Sequence, residues 1–158
     1  MIMALSVFAG YIGIAMTFGS TNTVSAAVTI SNYCTFTTNT ANINFGSNIG
    51  LGSNTGTETN TILITNTGNS ASNVIVYGTN WASGSFNFGV TNTVWSATAS
   101  TPYASATPLI LTGVDTDILL PAPTSGGTTT NTISFGLGIP VGQAPGTYSQ
   151  TITLSNSC

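Results

Sequence analysis

The chain has 158 residues, of which 41% are hydrophobic and 2% are charged; it contains no Lys, Arg or His, and its three acidic residues give a net charge of −3. Without cations it cannot neutralise nucleic-acid phosphates or anionic lipid headgroups, and we do not expect an enzyme, because general acid–base catalysis mostly uses His, Lys or a tuned pair of carboxylates. The apolar content also argues against disorder, and the length predicts one main domain.

The polar residues are mostly uncharged, with 30 Thr, 18 Ser and 16 Asn. Charge repulsion between copies of such a chain is almost absent, and a near-zero charge favours association. We therefore expect the partner to be further copies of the chain in a homopolymer, and no nucleic acid. The Thr and Ser hydroxyls are also sites for O-linked glycans, and no other cofactor is expected.

The N-terminal segment is strongly apolar, since 14 of the first 18 residues are apolar. As an α-helix it would be about 27 Å long, and because it is apolar all round it cannot be a surface helix of the domain that follows. We expect it to pack against copies of itself in the core of a filament and to lie in a membrane only before assembly. The side chains predicted to form this filament core are Ile2, Leu5, Val7, Phe8, Tyr11, Ile12, Ile14, Met16 and Phe18.

Other interpretations of this segment stay open. It resembles a secretory signal cleaved before Ala27, after the small residues 24–26, although no positively charged n-region precedes it. A simple membrane anchor is the second alternative. The third is a strand inserted into a neighbouring subunit, because several apolar residues share one parity, namely Phe8, Ile12, Ile14, Met16 and Phe18. Residues 19–26 are small and polar, so the domains are predicted as 1–26 and 27–158.

The second part of the chain has the composition of a β domain, because Thr, Val and Ile fill its runs and Gly, Asn, Ser and Pro separate them. Short strands at this spacing are typical of a sandwich or barrel. We predict strands at 28–31, 41–45, 58–65, 73–79, 85–90, 93–97, 108–111, 116–119, 130–138 and 147–154.

Two groups of motifs resemble immunoglobulin-like modules of microbial surface proteins. Residues 43–46 (INFG) and 61–69 (TILITNTGN) resemble their early strands. Residues 139–142 (IPVG), 145–148 (PGTY) and 151–154 (TITL) resemble their final hairpin. With the apolar N-terminus and the neutral Thr- and Ser-rich composition, the chain resembles archaeal type IV pilins and related archaeal surface filaments.

This resemblance implies a mainly β protein, with an N-terminal hydrophobic α-helix followed by an immunoglobulin-like β-sandwich. It also implies a structural subunit of an extracellular filament whose β-sandwich heads face outward and adhere to a host or abiotic surface. The alternatives are a secreted β-sandwich adhesin with a cleaved signal and a filament assembled by donor-strand exchange.

The two cysteines end similar runs, VTISNYC at 28–34 and ITLSNSC at 152–158. We interpret these runs as the first and last strands, paired in parallel, which would bring Cys34 and Cys158 together. Such a bridge indicates an oxidising compartment outside the cytosol. Two unpaired buried thiols and a bridge between subunits are the alternatives.

Two further groups of residues suggest sites. Asp115, Asp117 and Glu58 offer carboxylates, but calcium takes about 6–8 oxygen ligands and a glycosidase needs two carboxyls with distinct pKa values, so we predict a solvated loop and no metal. Four aromatic rings suggest a stacking platform for sugars, namely those of Trp81, Trp95, Tyr77 and Tyr103. The favoured interpretation is that Tyr77 and Trp95, which end β runs, pack in the core or at an interface.

Overall fold

The structure is a computed structural model that describes residues 23–47, 49–57, 60–113 and 118–158. The chain divides into two units, Met1–Ser31 and Asn32–Cys158. In the first unit, residues 23–31 are described; they form no regular secondary structure and their side chains are exposed. The predicted N-terminal helix lies outside the described residues. So do its nine predicted filament-core side chains, Ile2, Leu5, Val7, Phe8, Tyr11, Ile12, Ile14, Met16 and Phe18.

The second unit is mainly β, as the sequence predicts. Two short 3₁₀ turns, Val90–Asn92 and Tyr103–Ser105, accompany the described strands. The strands are β1 (Phe36–Thr38), β2 (Asn60–Asn66), β3 (Ser72–Gly78), β4 (Trp81–Ser83), β5 (Phe86–Phe88), β6 (Thr93–Ser96), β7 (Thr107–Pro108), β8 (Ile118–Leu120), β9 (Thr129–Leu137) and β10 (Ile152–Ser157).

Strand pairing is antiparallel throughout the described sheets. One sheet has the order β1-β2-β9-β6-β7, the second has the order β10-β3-β8, and β4 and β5 form a separate hairpin. β2 pairs with β9 over seven positions, and β10 pairs with β3 over six, from Ile152 opposite Gly78 to Ser157 opposite Asn73. The long pairs therefore join segments that lie far apart in the chain.

The core lies between the two larger sheets. In β2 the buried side chains alternate at Ile62 and Ile64, and in β3 at Val74 and Val76, as expected for strands with one face against a core. Because they share one cluster with residues of β6, β8 and β9, the sheets pack face to face as in a sandwich. Each large side chain that is fully buried there contributes about 1.5–3 kcal/mol.

β9 is the central strand and is buried on both faces from Ile133 to Leu137. The Tyr103 ring covers the face of β9 that points away from the core. A Cβ on Gly138 would lie 2.7 Å from the Tyr103 hydroxyl oxygen. Glycine at position 138 therefore lets the ring approach the backbone.

The predicted strands at 28–31 and 41–45 are wrong. Residues 28–31 have the alternation of a strand, but they form no regular secondary structure. In residues 41–45, Asn42 N–H donates to Thr40 Oγ1, and Asn44 Oδ1 accepts from Gly46 N–H. These local side-chain acceptors compete with a ladder of strand hydrogen bonds.

Three further differences concern short strands and strand ends. β1 and β4 were not predicted, and β7 is shorter than its predicted strand. The last strand begins at Ile152, five residues after its predicted start at 147.

Candidate assembly groove

Cys34 and Cys158 form a disulfide within the chain, with Cα atoms 5.9 Å apart and a sequence separation of 124. The predicted pairing is confirmed, whereas unpaired thiols and a bridge between subunits are wrong. The parallel strand pairing from which this disulfide was predicted is wrong, because the strands beside the two cysteines belong to different sheets. Cys34 precedes β1 of the five-stranded sheet and Cys158 follows β10 of the three-stranded sheet, so the disulfide connects the two sheets.

The turn after β2 holds the chain next to Cys34. Tyr33 N–H donates to Asn69 Oδ1 at 2.6 Å, and Asn69 N–H donates to the Tyr33 carbonyl at 2.8 Å. A Cβ on Gly68 would overlap the Tyr33 carbonyl oxygen and lie 3.1 Å from Cys34 Cα. The absence of a side chain at position 68 therefore allows the two backbones to approach and positions the cysteine for its partner.

Asn66 orders the same turn from inside the protein, where it is fully buried. Its amide donates to the carbonyls of Ser70 at 2.9 Å and Pro121 at 3.0 Å, and its Oδ1 accepts from Gly68 N–H at 2.9 Å. Buried polar groups are costly without partners, so these three bonds fix the β2–β3 turn against the end of β8.

An apolar groove of two adjacent cavities opens on the second unit. The cavities have volumes of about 590 Å³ and about 310 Å³ and share the lining residues Ile43, Phe45 and Trp81. The other apolar side chains that line the larger cavity are Ile49, Leu51, Phe88, Leu137, Ile139 and Tyr148, and those that line the smaller are Ile62, Ile152 and Leu154. Polar residues also line the smaller cavity, namely Thr38, Thr40, Asn42 and Gln150. We call this set of residues the apolar groove.

Aromatic rings form one wall of the apolar groove. Trp81 stacks on Phe88 with ring centroids 5.6 Å apart, and Phe45 meets Trp81 edge-on at 6.0 Å. Tyr148 lies 5.3 Å from Phe88. Its hydroxyl accepts from the Gln143 amide at 2.6 Å, so a hydrogen bond as well as packing holds this ring.

A polar chain beneath the rings fixes Trp81. Its Nε1–H donates to Thr93 Oγ1 at 2.8 Å, and the Thr93 hydroxyl donates to Gln150 Oε1 at 2.8 Å. The Gln150 amide in turn donates to the Thr79 carbonyl at 2.7 Å. Sequence reasoning missed Thr93 and Gln150, since nothing in their neighbourhoods distinguishes them from the other polar residues of β runs.

Two stretches of chain that line the apolar groove lie outside the middle of a sheet. β10 lies at the edge of its sheet, next to β3 alone among the described strands, and its residues are half-buried throughout. Within the described ranges, the backbone of residues 41–47 makes no hydrogen bond to a strand, although Ile43 and Phe45 are partly buried against the core. The groove therefore combines apolar side chains with β10, which is the outermost of the described strands in its sheet.

The four aromatic residues predicted as a sugar platform do not come together on one exposed face. Trp81 and Trp95 are each only 8% exposed and belong to different apolar clusters. Tyr77 is half-buried in β3, and Tyr103 donates its hydroxyl to the Asn92 carbonyl at 2.8 Å. Burial raises the pKa of Tyr103 by desolvating its charged form. Core packing, the favoured interpretation, is confirmed for Trp95.

The predicted acidic loop residues Asp115 and Asp117, and Glu58, lie outside the described residues. Across the described ranges, no group of three or more His, Cys, Asp or Glu is positioned to hold a metal ion. In the same ranges, no helix has both the length and the apolar character needed to span a bilayer. Comparison of the chain with protein-family models, curated proteins and solved structures found no match.

Proposed function

We propose that the protein is a structural subunit of an extracellular filament, a homopolymer that assembles through residues preceding its β domain. The observation that carries this proposal is an almost uncharged composition together with exposed apolar side chains. Residues 23–47, 49–57, 60–113 and 118–158 contain no acidic or basic side chain. Large hydrophobic residues are exposed on the same part of the chain, at Val24, Val28, Ile30, Tyr33, Leu51, Leu63, Phe86, Leu111, Leu119 and Val141.

Such a surface favours contact between copies. Near-zero charge removes the repulsion that keeps most soluble proteins apart, and contacts made of amides, hydroxyls and apolar side chains are insensitive to salt screening. The disulfide supports a location outside the cytosol, because bridges of this kind persist in oxidising compartments.

In the finer form of the proposal, the protein is organised like an archaeal type IV pilin. Residues 1–18 form a hydrophobic α-helix in the filament core, and an immunoglobulin-like sandwich faces outward. The Thr and Ser hydroxyls of the sandwich carry O-linked glycans, and the filament adheres to a host or abiotic surface.

Electron microscopy and sedimentation of the full oxidised chain test the proposal. We expect polymers both in dilute buffer and in about 1 M NaCl, where the Debye length of about 3 Å would disrupt contacts between exposed charges. We also expect them at acidic pH, because protonation of three carboxyls changes the net charge only from −3 to 0. A chain that stays monomeric in all of these buffers would contradict the proposal.

A further inference from the structure

We propose that the larger cavity of the apolar groove binds a small, uncharged lipophilic molecule with one hydrogen-bond donor, and that the Gln143 side chain accepts this hydrogen bond. The inference goes beyond the proposed filament function, because it assigns a ligand to the β domain of each copy.

The size and lining of the larger cavity are those of a small-molecule site. Its volume of about 590 Å³ lies within the range of about 300–1,000 Å³ for ligand pockets. It is also well above the roughly 150 Å³ that holds benzene in an apolar protein cavity. Most of the described lining side chains are apolar, and the polar ones are Asn44, Ser47, Gln143 and Thr147. An apolar wall with a few polar groups is typical of a pocket that buries an organic ligand.

Hydrogen bonds between protein groups fix both rims of the larger cavity. On one side, Gly52 N–H donates to the Ile139 carbonyl at 2.8 Å, and Ile139 N–H donates to the Ser53 carbonyl at 2.8 Å. On the other side, the Tyr148 hydroxyl donates to the Ala144 carbonyl at 2.9 Å. A pocket that already has its shape loses little conformational entropy when it binds, so these bonds favour binding of a small ligand.

Gln143 provides a hydrogen-bond acceptor at this cavity. The Tyr148 hydroxyl uses its single hydrogen on the Ala144 carbonyl, so the Gln143 atom that lies 2.6 Å from it is the amide nitrogen, which donates. The remaining Gln143 atom, Oε1, accepts no hydrogen bond from the described residues. Because Gln143 lines the cavity and is half-buried, a ligand hydroxyl or N–H that bonds to Oε1 is partly shielded from competing water.

The expected charge of the ligand follows from the side chains that could pair with it. The chain contains no Lys, Arg or His, so an anionic ligand would find no cationic side chain. None of the described residues that line the larger cavity is acidic, so a cationic ligand would find no carboxylate among them. Burial of an unpaired charge is costly, and the favoured ligand is therefore neutral.

A small molecule fits the larger cavity better than a segment of protein chain. Each residue of a bound segment brings a backbone N–H and C=O that need partners when they are buried, whereas the described lining side chains are mainly apolar. A cavity that a chain segment fills would bind no dye in the test below.

Displacement of a neutral dye tests the ligand class. N-phenyl-1-naphthylamine, which becomes fluorescent in apolar sites, is added to the full oxidised chain, and naphthalene, 1-naphthol and 1-naphthoate then compete with it. We expect 1-naphthol to displace the dye at a concentration roughly 3–10-fold lower than naphthalene, because its hydroxyl donates to Gln143. 1-Naphthoate should require roughly 10-fold more than 1-naphthol, because its charge has no partner. No dye binding, or equal competition by 1-naphthol and 1-naphthoate, would overturn the inference.

Two variants locate the binding site. Ala144→Trp places an indole at a residue that lines the larger cavity, whereas the control Ala99→Trp adds the same ring at an exposed position outside the apolar groove. We expect dye binding to weaken roughly 10-fold or more in Ala144→Trp and to stay unchanged in Ala99→Trp. Equal dye binding by the two variants would overturn the inference.

Gln143→Leu tests the acceptor and keeps the inference open to refutation if Ala144→Trp fails to fold. Leucine retains most of the side-chain volume but accepts no hydrogen bond, so the preference for 1-naphthol over naphthalene should disappear. Urea unfolding shows that the variant is folded. A preference for 1-naphthol as large as that of the parent chain would overturn the assigned role of Gln143.

Discussion

The disulfide between Cys34 and Cys158 is expected to stabilise the fold by restricting the unfolded chain. It closes a loop with a sequence separation of 124. The chain-entropy relation then gives about 16 cal/mol/K removed from the unfolded chain, or about 5 kcal/mol at 25 °C. Total stabilities of domains are about 5–15 kcal/mol, so the loss of this bridge is expected to remove a large share of the free energy of unfolding.

The double variant Cys34→Ser/Cys158→Ser tests this magnitude by urea unfolding, followed through the fluorescence of the buried Trp81 and Trp95. We expect the free energy of unfolding to fall by about 5 kcal/mol. The melting temperature should fall by about 10–20 °C at 2–4 °C per kcal/mol. The urea slope should rise, because the uncrosslinked chain exposes more surface when it unfolds.

The control is a reductant. Dithiothreitol should destabilise the parent chain to the level of the double variant and leave the double variant unchanged. A loss of less than about 1 kcal/mol would refute the reasoning, because the loop-closure entropy predicts several times that value.

Three further predictions concern packing and titration. Gly68→Ala places a methyl group against the neighbouring backbone carbonyl, so urea unfolding should show a loss of about 1–3 kcal/mol; an unchanged midpoint would contradict the close approach. Thr93→Val removes the acceptor of the buried Trp81 Nε1–H and should remove about 1–3 kcal/mol, while Thr91→Val at an exposed position should leave the midpoint unchanged. Burial raises the pKa of Tyr103, so its contribution to stability is complete below the unfolded pKa of about 10 and is lost as the pH rises through the higher folded value. Thermal melts should show this alkaline loss, and the loss should be smaller in Tyr103→Phe.

The sequence alone determined the class of the fold and the character of the surface. Period-2 runs rich in Thr, Val and Ile predict strands because the pattern acts over a few residues, and β2, β3, β6 and β9 form close to their predicted positions. The scarcity of charged side chains is a property of composition, so no arrangement of the chain can alter it. The cysteine pairing was also predicted correctly, although from a strand pairing that does not form.

Only the tertiary structure decided which segments meet. Thr93 and Gln150 lie 57 residues apart and share a hydrogen bond beneath Trp81, and the cysteines join two different sheets. The apolar groove likewise brings Ile43 and Phe45 together with Ile152 and Leu154, which lie far later in the chain. Local periodicity specifies which face of a segment is apolar. The segment that covers this face depends on long-range pairing, which no short window of sequence contains.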